Sequence, residues 1–241
     1  MRNCIMASVL LIILAALTAA YFAASVERKK SMNQKAPLKS GTAIVQLPQP
    51  RTRNESNILV EQALLERRSI REYRNEPLKL DDLGQLLWAA QGITYKGIYR
   101  TTPSAGALYP LETYVIAGNV TNLPAGIYRY MPLVHKLTLT RSGDIRQKLS
   151  NACLCQTSIL KAPASLVFCA VFARTTGKYG TRGIRYVHIE VGSAAQNVSL
   201  QAVSLKLGTV AIGAFDDKAV HRELSLPPEE EPILVMPVGK N

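Results

Sequence analysis

Apolar residues recur at helical spacing in three parts of the chain. Between residues 79 and 93 they fall at i, i+3, i+4 and i+7, and Gly92 follows where a helix commonly ends. A shorter helical pattern covers residues 54–69, with Asn54 or Ser56 as its N-cap, and a long, mostly apolar one runs from Tyr186 to Gly208. The apolar faces of the two shorter helices consist of Ile58, Ala63, Leu64 and Leu65 and of Leu83, Leu86, Leu87 and Ala90.

Strand patterns lie between these helices. Residues 111–118 and 164–173 are continuous apolar runs, typical of buried strands, and residues 125–143 alternate as a hairpin does. Residues 209–215 and 232–239 predict closing strands, and residues 144–154 predict a short helix. Because helices and strands are mixed without a regular β-α-β alternation, the sequence predicts an α+β fold.

The beginning of the chain differs from the rest. Residues 5–26 form an uncharged apolar run, close to the ~20 residues that span a bilayer as a helix, so residues 1–26 are either a signal peptide or a membrane anchor. Basic residues at 28–30 follow this run directly, whereas only Arg2 precedes it, and such residues favour the cytoplasmic side. We therefore expect a membrane anchor with a cytoplasmic catalytic domain; the alternative is export after signal-peptide cleavage. Residues 27–53 are a basic linker, and residues 54–241 are the folded domain.

The net charge of +12 would suit a nucleic-acid-binding protein, but most of it is concentrated in the linker. Residues 28–53 hold seven Lys or Arg and no acidic residue. Neither a Cys/His finger spacing nor a helix-turn-helix pattern accompanies them. We therefore expect no nucleic-acid partner, and basic residues beside an apolar run instead fit anionic lipid.

Several common catalytic motifs are missing from the sequence. The three histidines have no metal-ligand spacing, so no metal site is expected. The chain also lacks a G-x-S-x-G elbow, a Walker A loop and a G-x-G-x-x-G after a strand, which argues against a triad hydrolase, a P-loop protein or a Rossmann dehydrogenase. Cys153 and Cys155 are interpreted as ordinary residues, with a redox pair as an open alternative.

Five separated segments carry unusual polar or glycine-rich chemistry. "RRSIREY" at 67–73 presents guanidinium groups, whose planar donors suit phosphate. "TTPSAGALYP" at 101–110 precedes a strand, and its small residues let a ligand approach the backbone. The other three are "KYGTRGIRYVHIE" at 178–190, "AIGAFDD" at 211–217 and "MPVGK" at 236–240.

In this order the segments resemble the flavin-dependent nitroreductase family, specifically its SagB-type (azoline- and thiazole-forming) dehydrogenase branch. The resemblance covers about residues 58–240. It implies a nitroreductase-like fold, with a central, mostly antiparallel sheet flanked by helices, and a homodimer that encloses FMN between its subunits. The long apolar helix independently favours a dimer, because it has more apolar face than a small monomer needs.

The resemblance also implies which residues bind FMN. The arginine segment would hold the phosphate and the pyrimidine end of the ring, with help from Lys240. The loop at 103–106 would face the ribityl chain and the ring. Amides of Gly213 and Ala214 would approach the N5/O4 edge, where a donor stabilises reduced flavin. The implied cofactor-binding residues are Arg67, Arg68, Ser69, Arg71, Pro103, Ser104, Ala105, Gly106, Gly213, Ala214 and Lys240.

Lys178 and Tyr179 match the Lys-Tyr pair that is implicated in substrate chemistry in azole-forming members of the family. Such a pair could remove a proton while hydride leaves to flavin N5. We therefore expect an FMN-dependent oxidoreductase that acts on a small-molecule or peptide-derived substrate, with NAD(P)H as a candidate electron donor or oxygen as an acceptor. The alternative is a membrane-tethered flavin-binding accessory protein without turnover of its own.

Overall fold

The computed structural model describes residues 43–51, 58–95 and 97–241. The proposed anchor (1–26), most of the linker (27–53) and the proposed caps Asn54 and Ser56 lie outside these residues. No helix within the described ranges is both long and apolar enough to cross a bilayer.

Within the described ranges the chain forms seven helices and seven strands, and two short 3-10 turns lie at Ala105–Ala107 and Pro132–Val134. The helices are α1 (Val60–Glu66), α2 (Leu80–Gln91), α3 (Arg146–Ala152), α4 (Thr157–Lys161), α5 (Ala173–Tyr179), α6 (Arg182–Ser204) and α7 (Asp217–Leu224). The strands are β1 (Ile44–Gln46), β2 (Leu111–Ala117), β3 (Gly126–Met131), β4 (Lys136–Ser142), β5 (Ala164–Ala170), β6 (Leu207–Thr209) and β7 (Glu231–Lys240).

The strands form one sheet in the order β1-β4-β3-β2-β5-β7-β6, and every neighbouring pair is antiparallel. Leu111, which begins β2, lies opposite Ala170, which ends β5, and Ala170 also lies opposite Glu231, which begins β7. The loop before β2, the start of α5 after β5 and the chain entering β7 therefore meet at one end of the sheet.

Apolar side chains cover both faces of the sheet. One buried cluster packs α2 and α6 against the first face, and a second packs α3, α4 and α7 against the other. Each large apolar side chain that is removed from water stabilises the fold by roughly 1.5–3 kcal/mol. The central strands β2 and β5 are buried at every position, which explains their continuous apolar sequence. The predicted α+β class with a mostly antiparallel sheet is confirmed.

Three details differ from the sequence prediction. The first helix begins at Val60 with Leu59 as its N-cap, and of its predicted apolar face Ala63 is buried whereas Leu64 and Leu65 are 54% and 72% exposed. The long helix spans Arg182–Ser204 rather than Tyr186–Gly208, because Gly208 pairs with Gly239 as part of β6. The closing strand expected at 209–215 is only the short β6 followed by a single bridge between Ile212 and Val235.

Candidate functional site

The loop at 101–110 is held by hydrogen bonds to helices α2, α5 and α6 and by bonds within itself. The Thr102 hydroxyl donates to the Ala90 carbonyl of α2 over 2.6 Å, and Asn197 Nδ2 of α6 donates to Thr102 Oγ1 over 3.1 Å. Ser104 Oγ accepts from the Tyr109 amide over 2.9 Å. A small, polar loop is thereby fixed in one conformation before β2 begins.

This loop places several residues in the left-handed region of backbone conformation. Gly106 has φ +62°, and Ala107 and Tyr109 have φ of 51° and 48°. This conformation costs non-glycine residues of order 1–2 kcal/mol, so its occurrence at two non-glycine residues of one short loop points to a functional constraint.

Lys178 and Tyr179 lie in the last turn of α5, directly against this loop. A Cβ placed on Gly106 would be 2.8 Å from Tyr179 Oη and 3.1 Å from Lys178 Nζ. Lys178 is exposed, and its Nζ lies 5.3 Å from the centre of the Tyr179 ring. The Tyr179 ring packs edge-on against that of Tyr186 on α6, at 5.1 Å between centroids. The structure thus brings the predicted catalytic pair and Gly106 together, and any larger side chain at Gly106 would displace them.

Beneath α5, acidic and basic side chains form a largely buried network. Arg174 Nη2 donates to Glu112 Oε1 over 2.7 Å, and Arg129 Nη2 lies 2.8 Å from Glu112 Oε2 and 2.6 Å from Glu230 Oε1. The Tyr114 hydroxyl donates to Glu230 Oε2 over 2.8 Å. Burial raises the pKa of Glu112 and of Glu230, while Arg174 and Arg129 act in the opposite direction on these two pKa values. Two guanidinium groups against two carboxylates make the network neutral when both acids are ionised.

Glu190 is a third buried acid at the site. It lies on α6 with 3% of its surface exposed, and its Oε1 has no hydrogen-bond partner among the described residues. Burial raises the pKa of Glu190 to about 7, whereas the nearby Ser104 hydroxyl and the Arg100 charge act to lower that pKa. Arg100 itself stacks over the Tyr109 ring at 4.5 Å and donates to Gln91 Oε1. A carboxyl that titrates near neutral pH therefore lies directly beside the 101–110 loop.

The arginine segment lies at the edge of the sheet, beside β6. Ser69 pairs with Thr209 in a parallel bridge, and the Ile70 amide donates to the Thr209 carbonyl over 3.0 Å. Arg68 Nη1 donates to the carbonyls of Leu65 and Arg67, which end α1. Within the described ranges, none of the three predicted phosphate-binding arginines (Arg67, Arg68 and Arg71) forms an ion pair with a carboxylate.

From Thr209 the chain runs along β7 towards α5. Ile212 pairs with Val235, and the next residue, Gly213, lines an open cavity of about 490 Å³. A Cβ at Gly213 would meet nothing within 4 Å, so its backbone is open to a ligand. The Ala214 carbonyl accepts from Gln156 Nε2 over 3.1 Å, which fixes this turn. The cavity is further lined by Phe172, Thr176, Ile184, His188, Phe215, Asp217, Glu231, Pro232 and Ile233.

Lys240, the last residue of β7, has a partner within the chain. Its ammonium group forms an ion pair with Glu76, and its carbonyl accepts from the Arg74 amide over 2.8 Å. Lys240 thus follows the arginine segment along the sheet, and its role at a phosphate stays a prediction.

Sequence reasoning missed Glu190 and Arg174 as site residues. Glu190 stands alone among apolar residues in a helix, which is the signal of a buried charge. Arg174 lies four residues before Lys178, and this spacing places both on one side of a helix. Its partner Glu112 lies in a different strand, so nothing in the local sequence indicates the pairing.

The chain is similar in sequence and in structure to known proteins of the nitroreductase family. The model described as the nitroreductase family matches residues 64–240. A protein of Methanocaldococcus jannaschii that carries a provisional nitroreductase name is 44% identical over 199 residues, which cover 83% of this chain and 97% of that protein. A crystal structure from Ralstonia eutropha, also provisionally named a nitroreductase, is 30% identical with a TM-score of 0.71 and covers 86% of this chain and 93% of its own.

The microcin B17-processing protein McbC of Escherichia coli is 30% identical over 134 residues, which cover 54% of this chain and 49% of McbC. The chain thus spans about half the length of that relative. This similarity agrees with the SagB-type branch that the motifs indicated. The extent of the family match, from the arginine segment to Lys240, includes every residue predicted to form the site, and the chain belongs to the nitroreductase family.

Proposed function

We propose that this protein is an FMN-dependent oxidoreductase that moves hydride between an organic substrate and a nicotinamide or oxygen partner. The observation that carries the proposal is the approach of Lys178 and Tyr179 to Gly106. Two side chains capable of proton transfer face a backbone segment that has no side chain of its own. A flat cofactor and its substrate need such a surface, because a Cβ there would keep them away from the two groups.

The residues present fit FMN at both of its ends. Arg67, Arg68 and Arg71 have no carboxylate partner among the described residues, so their charge is available to a phosphate. Gly213 opens onto the cavity beside α5, where a backbone donor can meet a polar ring edge. When bound, FMN would supply a hydride acceptor at N5.

The chain's own residues would then bind, orient and move protons. Ser104 and the backbone of Ala105 and Gly106 would orient the cofactor, while Pro103 helps to shape the loop. Lys178 or Tyr179 would take the proton that leaves as the substrate loses hydride, or return it in the opposite direction. Because both groups lie at the C-terminal end of the short helix α5, the position of that helix would determine their reach.

A peptide-derived substrate is supported by the similarity to McbC, whose name describes the processing of microcin B17. A small molecule is the other candidate class. We further propose that residues 1–26 anchor the protein in a membrane with residues 54–241 in the cytoplasm, on the strength of the apolar run and of the basic residues that follow it.

A homodimer would complete the site. Most predicted cofactor-binding residues are exposed in the single chain, Arg68, Gly106 and Gly213 among them. Apolar side chains on α1 and α6 are exposed as well, including Leu65 at 72% and Ile189 at 59%. A second copy would cover both sets. Light scattering of the FMN-loaded full-length protein should give twice the chain mass, and a monomer that retains FMN would contradict the dimer.

The function is tested with the purified full-length protein. We expect it to bind FMN and, without oxygen, to lose the absorbance of oxidised flavin when NADH, NADPH or a thiazoline compound is added. A protein that does not take up FMN would refute the proposal. Bound flavin that none of these donors reduces would instead favour the accessory-protein alternative.

A further inference from the structure

We propose that Arg174 is a positioning residue that sets the distance between Lys178–Tyr179 and the 101–110 loop. This inference rests on the proposed function, because it assigns Arg174 to the geometry of the same site. Arg174 itself need not touch the substrate or the cofactor.

The contacts of Arg174 join three parts of the chain, namely α5, the 101–110 loop and strand β2. Its Nη1 donates to the Tyr109 carbonyl over 3.0 Å, at the end of the loop. Its Nη2 donates to Glu112 Oε1 over 2.7 Å, on β2. Arg174 belongs to the first turn of α5, so one planar guanidinium connects the helix, the loop and the sheet.

A second bond reinforces the same connection. The Val171 amide, just before α5, donates to the Pro110 carbonyl over 2.9 Å. The carbonyls of Tyr109 and Pro110 are therefore both held by the start of α5. Lys178 lies one helical turn beyond Arg174, and Gly106 lies three residues before Tyr109. The hydrogen bonds that join the start of α5 to the loop therefore lie one helical turn away from the contact between Lys178, Tyr179 and Gly106.

The helix α5 has few other means of holding its position. It is only seven residues long and has no side-chain N-cap bond, and helices of this length are not stable alone. It packs on α6, where Gly183 allows close approach, since a Cβ there would lie 2.8 Å from Thr176 Cα. That packing holds the C-terminal half of α5, whereas Arg174 joins its first turn directly to the loop and to β2.

The acidic partner is itself held in place. Glu112 also meets Arg129, and Arg129 meets Glu230, which accepts from Tyr114. The side chain of Arg174 is 16% exposed and that of Glu112 is 11% exposed. Because little water reaches these contacts, the position of Arg174 is determined by strands β2 and β3 and by Glu230, the residue before β7, rather than by solvent. The attachment of α5 to the sheet through Arg174 and Glu112 is therefore rigid.

The test is the substitution Arg174→Lys. Lysine at this position would keep the positive charge but could not reach the Tyr109 carbonyl and Glu112 with two parallel donors, so α5 should shift or loosen. We expect kcat for substrate-driven flavin reduction to fall about 100-fold, the cost of roughly 1 Å of misplacement. KM and the affinity for FMN should change less than about threefold. Arg222→Lys, at an exposed arginine that pairs with Glu223, is the matched control and should behave as the wild type.

Hydrogen exchange gives a readout that does not depend on turnover. In the Arg174→Lys apo-protein, the amides of α5 and of residues 104–109 should exchange at least about tenfold faster, while those of β5 keep the wild-type rate. Glu112→Gln removes the carboxylate charge that Arg174 and Arg129 share, so the same amides should exchange at least as fast as in Arg174→Lys.

Exchange rates in Arg174→Lys equal to those of the wild type would overturn the inference, as would a kcat within twofold of the wild type. Failure of the proposed function has a different signature. In that case the wild-type flavin itself is not reduced by any donor, while the exchange experiment still decides whether Arg174 holds α5 against the loop.

Discussion

Beneath α5, Arg129 and Arg174 are largely buried and lie against Glu112 and Glu230, whereas the arginines that follow α1 lie at the sheet edge with no ion pair among the described residues. The same side chain therefore serves two purposes. Where it is buried and paired, it connects elements of the fold, and removing one partner leaves a costly uncompensated charge. Where it is exposed and unpaired, it adds little to stability and its charge is available to a ligand.

The comparison implies that one mutation can change the rate of flavin reduction while another changes the affinity for FMN. Lys178→Ala should show the largest effect, a loss of about 10²- to 10⁴-fold in the rate of flavin reduction by substrate, because it removes the proposed proton-transfer group. FMN affinity should stay nearly unchanged. Anaerobic stopped-flow absorbance measures the rate, and flavin fluorescence measures binding.

Two results would break this separation. If Lys178→Ala loses flavin as strongly as an arginine variant does, then the lysine belongs to the cofactor-binding set. If it retains the full rate of reduction, then an azoline-type use of the Lys-Tyr pair does not apply to this protein.

Glu190 extends the comparison to a buried acid whose Oε1 has no hydrogen-bond partner among the described residues. Its pKa in the folded protein is about 7, above the ordinary value of 4.5, so the folded state binds the proton more tightly than the unfolded state. The resulting stability is present at low pH and is lost as pH rises from about 4.5 to 7, by a total of about 3 kcal/mol. Glu190→Gln should remove this part of the pH dependence.

The measurement is urea unfolding of both proteins at about pH 4.5 and about pH 8. The wild type should lose about 3 kcal/mol more than Glu190→Gln between these two values, since all other titrating groups are shared. Equal losses would mean that Glu190 is ionised throughout and that a partner compensates its charge.

Arg68→Ala should have a smaller effect than Lys178→Ala or Glu190→Gln. The Arg68 side chain already donates through Nη1 to two carbonyls at the end of α1, which leaves its other donors for a phosphate. Loss of such a charge-assisted contact costs roughly 1.5–3 kcal/mol, or about ten- to a hundredfold in FMN affinity. The rate of reduction of bound flavin should be unaffected.

Titration of apo-protein with FMN measures this change, and Arg222→Ala is the control for loss of a surface charge. An Arg68→Ala protein with wild-type affinity would assign the phosphate to Arg67 and Arg71. High salt should weaken FMN binding in the wild type more than in Arg68→Ala, because screening acts on exposed charges.

The fold was largely predictable from the sequence where burial alone determines the pattern. Strands β2, β5 and β7 are apolar runs because neighbours cover both their faces, and α2 shows helical spacing because one side faces the core. The boundaries of α6 were not predictable in this way. Its start depends on the close approach of Gly183 to Thr176, and its end on the pairing of Leu207 with Lys240. Both contacts join residues that the local pattern cannot relate.

The same distinction holds for the site. The Lys-Tyr pair and the small-residue loop were indicated by motif, and the structure brings Lys178 and Tyr179 against Gly106. The connection of α5 to β2 through Arg174 and Glu112 was not indicated, since 62 residues separate the two. The exposure of Leu64 and Leu65 was also missed, because an apolar helical pattern does not distinguish a face that packs on the core from one that is exposed in the single chain.

The bridge between Ser69 and Thr209 has a consequence for self-association. A sheet is open to strand addition at its two margins, and here both outermost strands, β1 and β6, have only three residues. Along β6 the free side is occupied by the 69–70 backbone, with Ile70 pressed so closely that a Cβ on Gly208 would lie 2.6 Å from its Cγ2. The positively charged segment thus also closes this margin of the sheet against β-pairing with other chains.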